Sequence, residues 1–468
     1  MITIGKIYSR IYKVQTLVIA IGIICSCGNY LDVRPQGEVI PETDEEFASI
    51  IHNHLREIEG GGDEYIIGNM DVIARLEGCA DNLDANIKAG NIVLYVGETI
   101  NTMQLYYQNT WEIIRDCNIV IENLTGRESD TAKGALSAAY AIKGVCYYNL
   151  IRIFCQPWDN ESADTLPGIP IVETFDISAM PSRGTLRQAA EYADKMFTSA
   201  LEHKSTDPVW IFTEWVIKSY RAKLSFWCED WDKCISICSD ILDNSGFKLT
   251  PPSEYAGMIN SANEAKGEVI VRSHINNSSE LDWYFSYVKN YISSRPVSAD
   301  FIRLFGEKPE KDIRYSASFN SRRQNVKVPE CKVRLSEMVL MIAEAYYHIG
   351  DTENAIKWLN HLRDNRIDGA VQLSFAGLPP VRDNDKIKVD ATGKPITPLL
   401  QTIFDERRKE LYMEADRWFE LKRNGRPEWW IISNGLKYTT KEYLYTAPIS
   451  KHDVDLNQEI VQNPGYVY

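Results

Sequence analysis

The chain has 468 residues, 44% hydrophobic and 25% charged, with a formal net charge of −14. That is the composition of a folded protein, long enough for one large domain or two interleaved ones. The acidic balance lacks the basic footprint that nucleic acid or an anionic lipid surface requires, so neither is expected as a partner.

Lys6, Arg10 and Lys13 precede an almost unbroken apolar run from Val14 to Ile24. This is the layout of an export signal, too short to span a bilayer as a helix. The run closes on Ile24-Cys25-Ser26-Cys27, which resembles a bacterial lipobox: a small residue before the cysteine and a branched apolar residue three back. Cys27 is therefore the expected lipid-bearing first residue of the mature chain. Cys25 is the poorer candidate, because Ile24 is bulky for the cleavage subsite. Loss of residues 1–26 removes three positive charges and no negative one, taking the net charge from −14 to near −17. Acyl chains contributing ~0.8 kcal/mol per buried methylene make a lasting anchor, and no later apolar run approaches ~18 residues.

Beyond the leader, apolar residues recur mostly at helical spacing. Helices are predicted over Met103–Leu124, Asp130–Phe154, and Thr185–Leu201, the last opened by a capping box of Thr185 and Gln188. Thr213–Trp227 with Trp231–Leu242 reads as a helical hairpin, and so does Leu335–His348 with Thr352–Arg366. The second turn, Gly350-Asp351, supplies a C-cap glycine and then an N-cap acid. Thr397–Glu414 and Asp416–Asn424 complete the set. Between them lie long intervals rich in Pro, Gly, Ser and Asn: Gln156–Arg183, Phe247–Arg334 and Gly369–Pro398. Loops of that length in a compact protein are usually functional. The expected fold is mainly α, tetratricopeptide-like helical pairs carrying long irregular insertions. The mature chain is expected to divide into 27–246 and 247–468, interleaved as one unit.

Cys79, Cys117, Cys146, Cys155, Cys228, Cys234, Cys238 and Cys331 fall mostly within apolar helical patterns and without C-x-x-C or zinc spacing, so they read as buried free thiols. The seven histidines are scattered, with no H-E-x-x-H, G-x-S-x-G or P-loop motif. Glu59-Gly60-Gly61-Gly62-Asp63 lacks the lysine of a phosphate cradle and reads as a flexible turn. Asp383, Asn384, Asp385 and Asp390 fail calcium-loop spacing, because Lys394 stands where the bidentate acid belongs. No metal, cofactor or catalytic residue is expected. An exported glycan-processing enzyme and a structural repeat scaffold remain the alternatives to a binding protein.

Several passages together resemble the SusD/RagB family of outer-membrane nutrient-binding lipoproteins. Tyr30-Leu31-Asp32-Val33-Arg34-Pro35 is similar to the family's tether. WEIIRDCNIVIENL from Trp111 and AAYAIKGVCYYNLIRIF from Ala138 resemble two of its helices. Arg334–Arg363 is similar to its most regular helical pair, and Glu406–Gly425 to its E-R-x-x-E-L-x-x-E-G-x-R segment. Ala415 stands where glycine is usual and Glu420 where aspartate is usual, both conservative changes. Gln462-Asn463-Pro464-Gly465-Tyr466 completes the likeness. The resemblance implies a SusD-like superhelix of four tetratricopeptide-like units. It also implies a lipid-anchored protein facing outside, which hands oligosaccharides or peptides to a SusC-like TonB-dependent channel.

The charges of Glu406, Glu410, Glu414 and Arg417, with Arg407 and Arg408, fall at i, i+3 and i+4. This ladder is expected to be structural and to touch no ligand. A sugar site needs an aromatic platform ringed by amide, carboxylate or guanidinium groups. Trp283, Tyr287 and Tyr291 form the densest aromatic cluster outside the helices, flanked by Asn276, Asn277, Asp282, Asn290 and Arg295. Asn69–Tyr95, with Asp81, Asn82, Asp84, Asn86, Asn91 and Tyr95, is the second candidate wall.

Overall fold

The computed structural model describes residues 40–84, 96–259, 265–273, 295–327, 329, 332–433 and 435–467. Contacts divide the chain into residues 1–46 and a compact unit of 47–468. In the described part of the first, Thr43 and Glu46 cap each other. Glu46 N donates to Thr43 Oγ1 at 3.2 Å and Thr43 N donates to Glu46 Oε2 at 3.0 Å.

In chain order the first elements are α1 (Asp44–Gly60), α2 (Met70–Cys79), α3 (Val96–Leu124), α4 (Asp130–Phe154), β1 (Pro167–Pro170) and β2 (Arg183–Thr185). Next come α5 (Leu186–Glu202), α6 (Glu214–Trp227), α7 (Trp231–Asn244), α8 (Pro252–Ile259), β3 (Val269–Arg272), α9 (Ala299–Arg303) and α10 (Ile313–Ser318). The rest are β4 (Lys332–Arg334), α11 (Leu335–His348), α12 (Thr352–Asp364), α13 (Pro398–Glu410), α14 (Asp416–Arg423), β5 (Trp429–Ser433), β6 (Leu436–Thr440) and α15 (Lys451–Leu456). The protein is mainly helical, as the periodicity predicts.

α4 lies between α3 and α5 and is buried on nearly every face, from Ala132 to Phe154. Small residues permit that. A Cβ on Gly134 would stand 2.1 Å from the Trp210 indole nitrogen, and one on Gly144 2.8 Å from the Phe197 ring. The predicted capping box at Thr185 and Gln188 opens α5. α6 and α7 form the predicted hairpin, α7 packs on α11, and α11 turns into α12 with Asp351 accepting from Asn354 N at 3.0 Å. The seven described cysteines are all free thiols, six of them buried and Cys228 half-buried. Among the described residues, no helix is long and apolar enough to cross a membrane.

Three details differ from the sequence reading. α3 begins at Val96, seven residues before the expected Met103, because Ile100 and Met103 bury enough apolar surface to carry the weak helix formers Gly97, Thr99 and Asn101. α13 ends at Glu410 rather than Glu414, and the chain turns through Met413 (φ 62°) and Ala415 (φ 60°) into α14. The glycine-rich run is an anchored turn. Asp63, 4% exposed, accepts from the amides of Tyr65 and Ile66 on one carboxylate oxygen and of Ile67 and Gly68 on the other.

The irregular intervals also carry antiparallel two-stranded sheets, β1 with β2 and β3 with β4. β3 and β4 pair within the Phe247–Arg334 interval, Val271 with Val333 and Arg272 with Lys332. β5 and β6 form a hairpin, Trp430 opposite Thr439 and Ile432 opposite Lys437.

Candidate functional site

Trp283, Tyr287, Asn290, Tyr291 and Tyr95 lie outside the described residues, as does Cys27. The chain on either side of the two candidate walls is described, and it converges. Leu83 and Val297 form an antiparallel bridge, Asp84 N donates to Pro296 O at 2.8 Å, and Ser298 N donates to Asn82 O at 2.9 Å. The last residues before segment 85–95 are thus stitched to the first residues after segment 274–294.

Arg295 locks this junction. Its side chain, predicted to flank the aromatic cluster as a polar group, is instead committed to backbone carbonyls. Nε donates to Asp84 O at 2.9 Å, Nη1 to Gly78 O at 2.7 Å and Nη2 to Leu83 O at 3.0 Å. Arg295 is 2% exposed, so three fixed donors meet three carbonyls with little competition from water.

The polar residues at the start of the second wall mostly hold that wall up. Asn69 caps α2, accepting from Asp71 N at 3.0 Å. Asp81 takes the Arg417 fork at 2.8 and 3.0 Å, with Arg408 at 3.3 Å. Burial would raise the Asp81 carboxyl, but Arg408 and Arg417 outweigh it and hold it well below the usual range. Asn82 donates to Glu77 at 3.1 Å and accepts from Arg408 Nε at 2.7 Å. Asp84 differs: it is exposed at the lip of the junction. Partial burial raises its carboxyl, against the opposing charges of Arg295 and Lys386.

The charge ladder lies below, and its partners are long-range. Arg314 binds Asp312 and Glu406 at 2.7 Å each. Arg334 binds Glu268 and Glu410 at 2.8 Å and Glu414 at 2.9 Å. Arg366 binds Glu268 at 2.8 Å and Glu410 at 3.0 Å. All three guanidinium groups have no exposure. Only Lys409–Glu406 and Arg417–Glu420 keep the expected i, i+3 spacing. The network is a frame for the junction. Glu420 Oε1 is buried without a hydrogen-bond partner, and burial pushes that carboxyl up to about 7.

The acids weighed for calcium are engaged elsewhere. Asp385 pairs with Arg382 at 2.8 Å, and Asp390 Oδ1 accepts from Thr392 N, Thr392 Oγ1 and Lys394 N in a tight turn. No His, Cys, Asp and Glu group suited to a metal ion occurs among the described residues.

Sequence reading missed the β5–β6 hairpin near this junction. Lys386, whose charge acts on Asp84, sits 5.9 Å from the ring of Trp429. Trp430 is 54% exposed on the opposite face, with Lys437 over its ring at 4.9 Å. The signal was present: Asn434-Gly435 between two runs of strand formers is a strong short-range mark of a hairpin.

The chain matches two family models. The SusD family model covers residues 310–466, and a model described as starch-binding associating with outer membrane covers 29–222. A SusD-like protein of Formosa agariphila is 19% identical, the alignment taking in 88% of this chain and 90% of the relative. A SusD superfamily protein from Bacteroides thetaiotaomicron superposes with a TM-score of 0.70 at 20% identity, over 90% of this chain and all of the other. A SusD-like carbohydrate binding protein from Bacteroides vulgatus gives 0.66 at 17% identity, over 90% and 98%. At these identities the solved structures establish the fold. The two models, which between them match most of the chain, place it in the SusD/RagB family.

Proposed function

We propose that this protein is a surface lipoprotein that captures oligosaccharides and passes them, without turnover, to a SusC-like TonB-dependent channel. The observation that carries the reading is the junction. The segment bearing Tyr95 and the one bearing Trp283, Tyr287, Asn290 and Tyr291 are flanked by described residues, Leu83, Val297 and Arg295, that are joined to one another. Aromatic faces and amide edges are the combination a sugar requires. The family model's starch-binding description and the carbohydrate binding structural relative favour a glycan over a peptide.

In this reading Cys27 carries the lipid and the protein faces outward on the outer membrane. Two experiments test it. Titration of the full chain in detergent with a neutral oligosaccharide series and a tripeptide series is expected to give saturable heat with a glycan and no product. Heat with peptides alone, or hydrolysis, overturns the reading. The Cys27→Ala chain is expected to leave the membrane fraction or to accumulate as an unprocessed precursor. Unchanged processing and retention overturn the anchor.

A further inference from the structure

A second cleft lies away from the junction, between the loop after α4, the turn at 389–393 and the chain from Gly425 to Pro464. It encloses about 770 Å³, within the range of small-molecule sites. Arg426 links two of its walls. Arg426 Nη1 donates to Gln156 Oε1 at 2.7 Å on one side, and Nη2 pairs with Glu442 Oε1 at 2.9 Å on the other. Each partner is gripped by one atom only. The Gln156 amide nitrogen and the second Glu442 oxygen have no protein partner among the described residues, nor does the second oxygen of Asp390. The cleft wall therefore carries an amide donor and two carboxylate acceptors that are open to a ligand. Tyr443, 40% exposed, adds an aromatic ring and a hydroxyl at the rim.

The backbone at the bridging residue is itself unusual. Arg426 has φ 48°, directly after Gly425 at φ 85°. A non-glycine residue in that region is disfavoured and persists where the surroundings impose it. Here the conformation accompanies a guanidinium that spans both walls.

We propose that this cleft is a saccharide-binding subsite, distinct from the surface rooted at Arg295, that takes a neutral sugar unit. Three acidic and three cationic side chains line it, so no net charge selects for an ionic ligand. Amide and carboxylate groups of this lining match the hydroxyls of a pyranose, and the Tyr443 ring matches its C–H face.

The test is crystallography of the full chain soaked with maltotriose, cellotriose, mannotriose or xylotriose, with triglycine as the other ligand class. At least one trisaccharide is expected in the cleft, with hydroxyls on Glu442 and Gln156. Glu442→Gln and Tyr443→Ala, checked by thermal melts, are expected to weaken that site about tenfold in titration, the loss of one contact. In crystals of Trp283→Ala the cleft is expected to stay occupied, which separates this site from the junction surface. An empty cleft with all four sugars, occupancy by triglycine instead, or wild-type affinity in both cleft variants overturns the proposal. Loss of the cleft site in Trp283→Ala overturns its independence.

Discussion

The backbone amide of Ala415 donates to the buried carboxylate of Glu77 at 3.2 Å, joining residues 338 positions apart. Ala415 does this in a left-handed conformation, φ 60° and ψ 14°, which sends the chain from the end of α13 into α14. That conformation explains why the family segment usually carries glycine here, so alanine is not the neutral exchange it looks in sequence. Left-handed backbone costs an alanine about 1–2 kcal/mol. Its buried methyl returns about 0.8 kcal/mol. Ala415→Gly is therefore expected to stabilise the protein by up to about 1 kcal/mol, seen as a raised midpoint in denaturant with unchanged slope. A lowered midpoint contradicts the strain argument.

The buried frame makes stability depend on acid. Burial would raise the Glu414 carboxyl, but Arg334, Lys327 and Lys332 outweigh it and hold it down at about 2, against an ordinary 4.5. A depressed carboxylate stabilises the fold above pH 4.5, and that contribution is lost as pH falls from about 4.5 to about 2. Glu344, also held at about 2 with Arg423 as the leading charge against burial, adds to the same window. Glu414→Gln is expected to lose about 3–5 kcal/mol at pH 7, because Arg334 and Lys327 keep buried charge without their partner. Its loss of stability between pH 5 and pH 2 is also expected to be shallower than wild type, which melts across that range would show.

Arg295 is a positioning residue, and its removal tests the junction directly. Arg295→Ala strips charged donors from three carbonyls, at about 1.5–3 kcal/mol for each bond to a charged group. Hydrogen exchange at the amides of Asp84 and Ser298 is expected to accelerate strongly, while amides within α4 stay protected. Equal acceleration everywhere would mean that Arg295 serves global stability and not the root of the two walls.

The aromatic surface is tested at Trp283. Stripping a stacked ring from a binding surface costs on the order of 1–3 kcal/mol. Trp283→Ala is expected to weaken glycan binding by that amount in calorimetry, with an unchanged melt. Wild-type affinity would move the platform elsewhere, and the exposed Trp430 on the β5–β6 hairpin is the next ring to remove.

The helices were legible because their signals are local. Thr185 and Gln188 sit three residues apart, and the alanines and glycines of α4 mark its close packing within a single turn or two. The ladder at Glu406, Glu410 and Glu414 was legible as structural, but not its wiring. Nothing near Glu410 in sequence points to Arg314, Arg334 and Arg366, which arrive from three other segments. The same holds at the candidate site. Arg295 looks like a ligand group beside an aromatic cluster, and only its carbonyl partners, more than 200 residues away, reveal it as a clamp. Composition marks which side chains can bind. It does not say which are already occupied.

The ties between the first third of the chain and its last seventy residues bear on when this chain folds. Glu77 meets Ala415, Asp81 meets Arg417, Asn82 meets Arg408, and the carbonyl of Phe154 meets the Asn463 amide at 2.7 Å. Until those late residues have emerged, the early ones would be carboxylates and amides enclosed with no partner, a state that costs more than remaining hydrated. A partly synthesised chain therefore gains little by closing. Closure is a terminal event that awaits the arrival of the far end, and a truncation of even the last ten residues would leave the early half without its final latch.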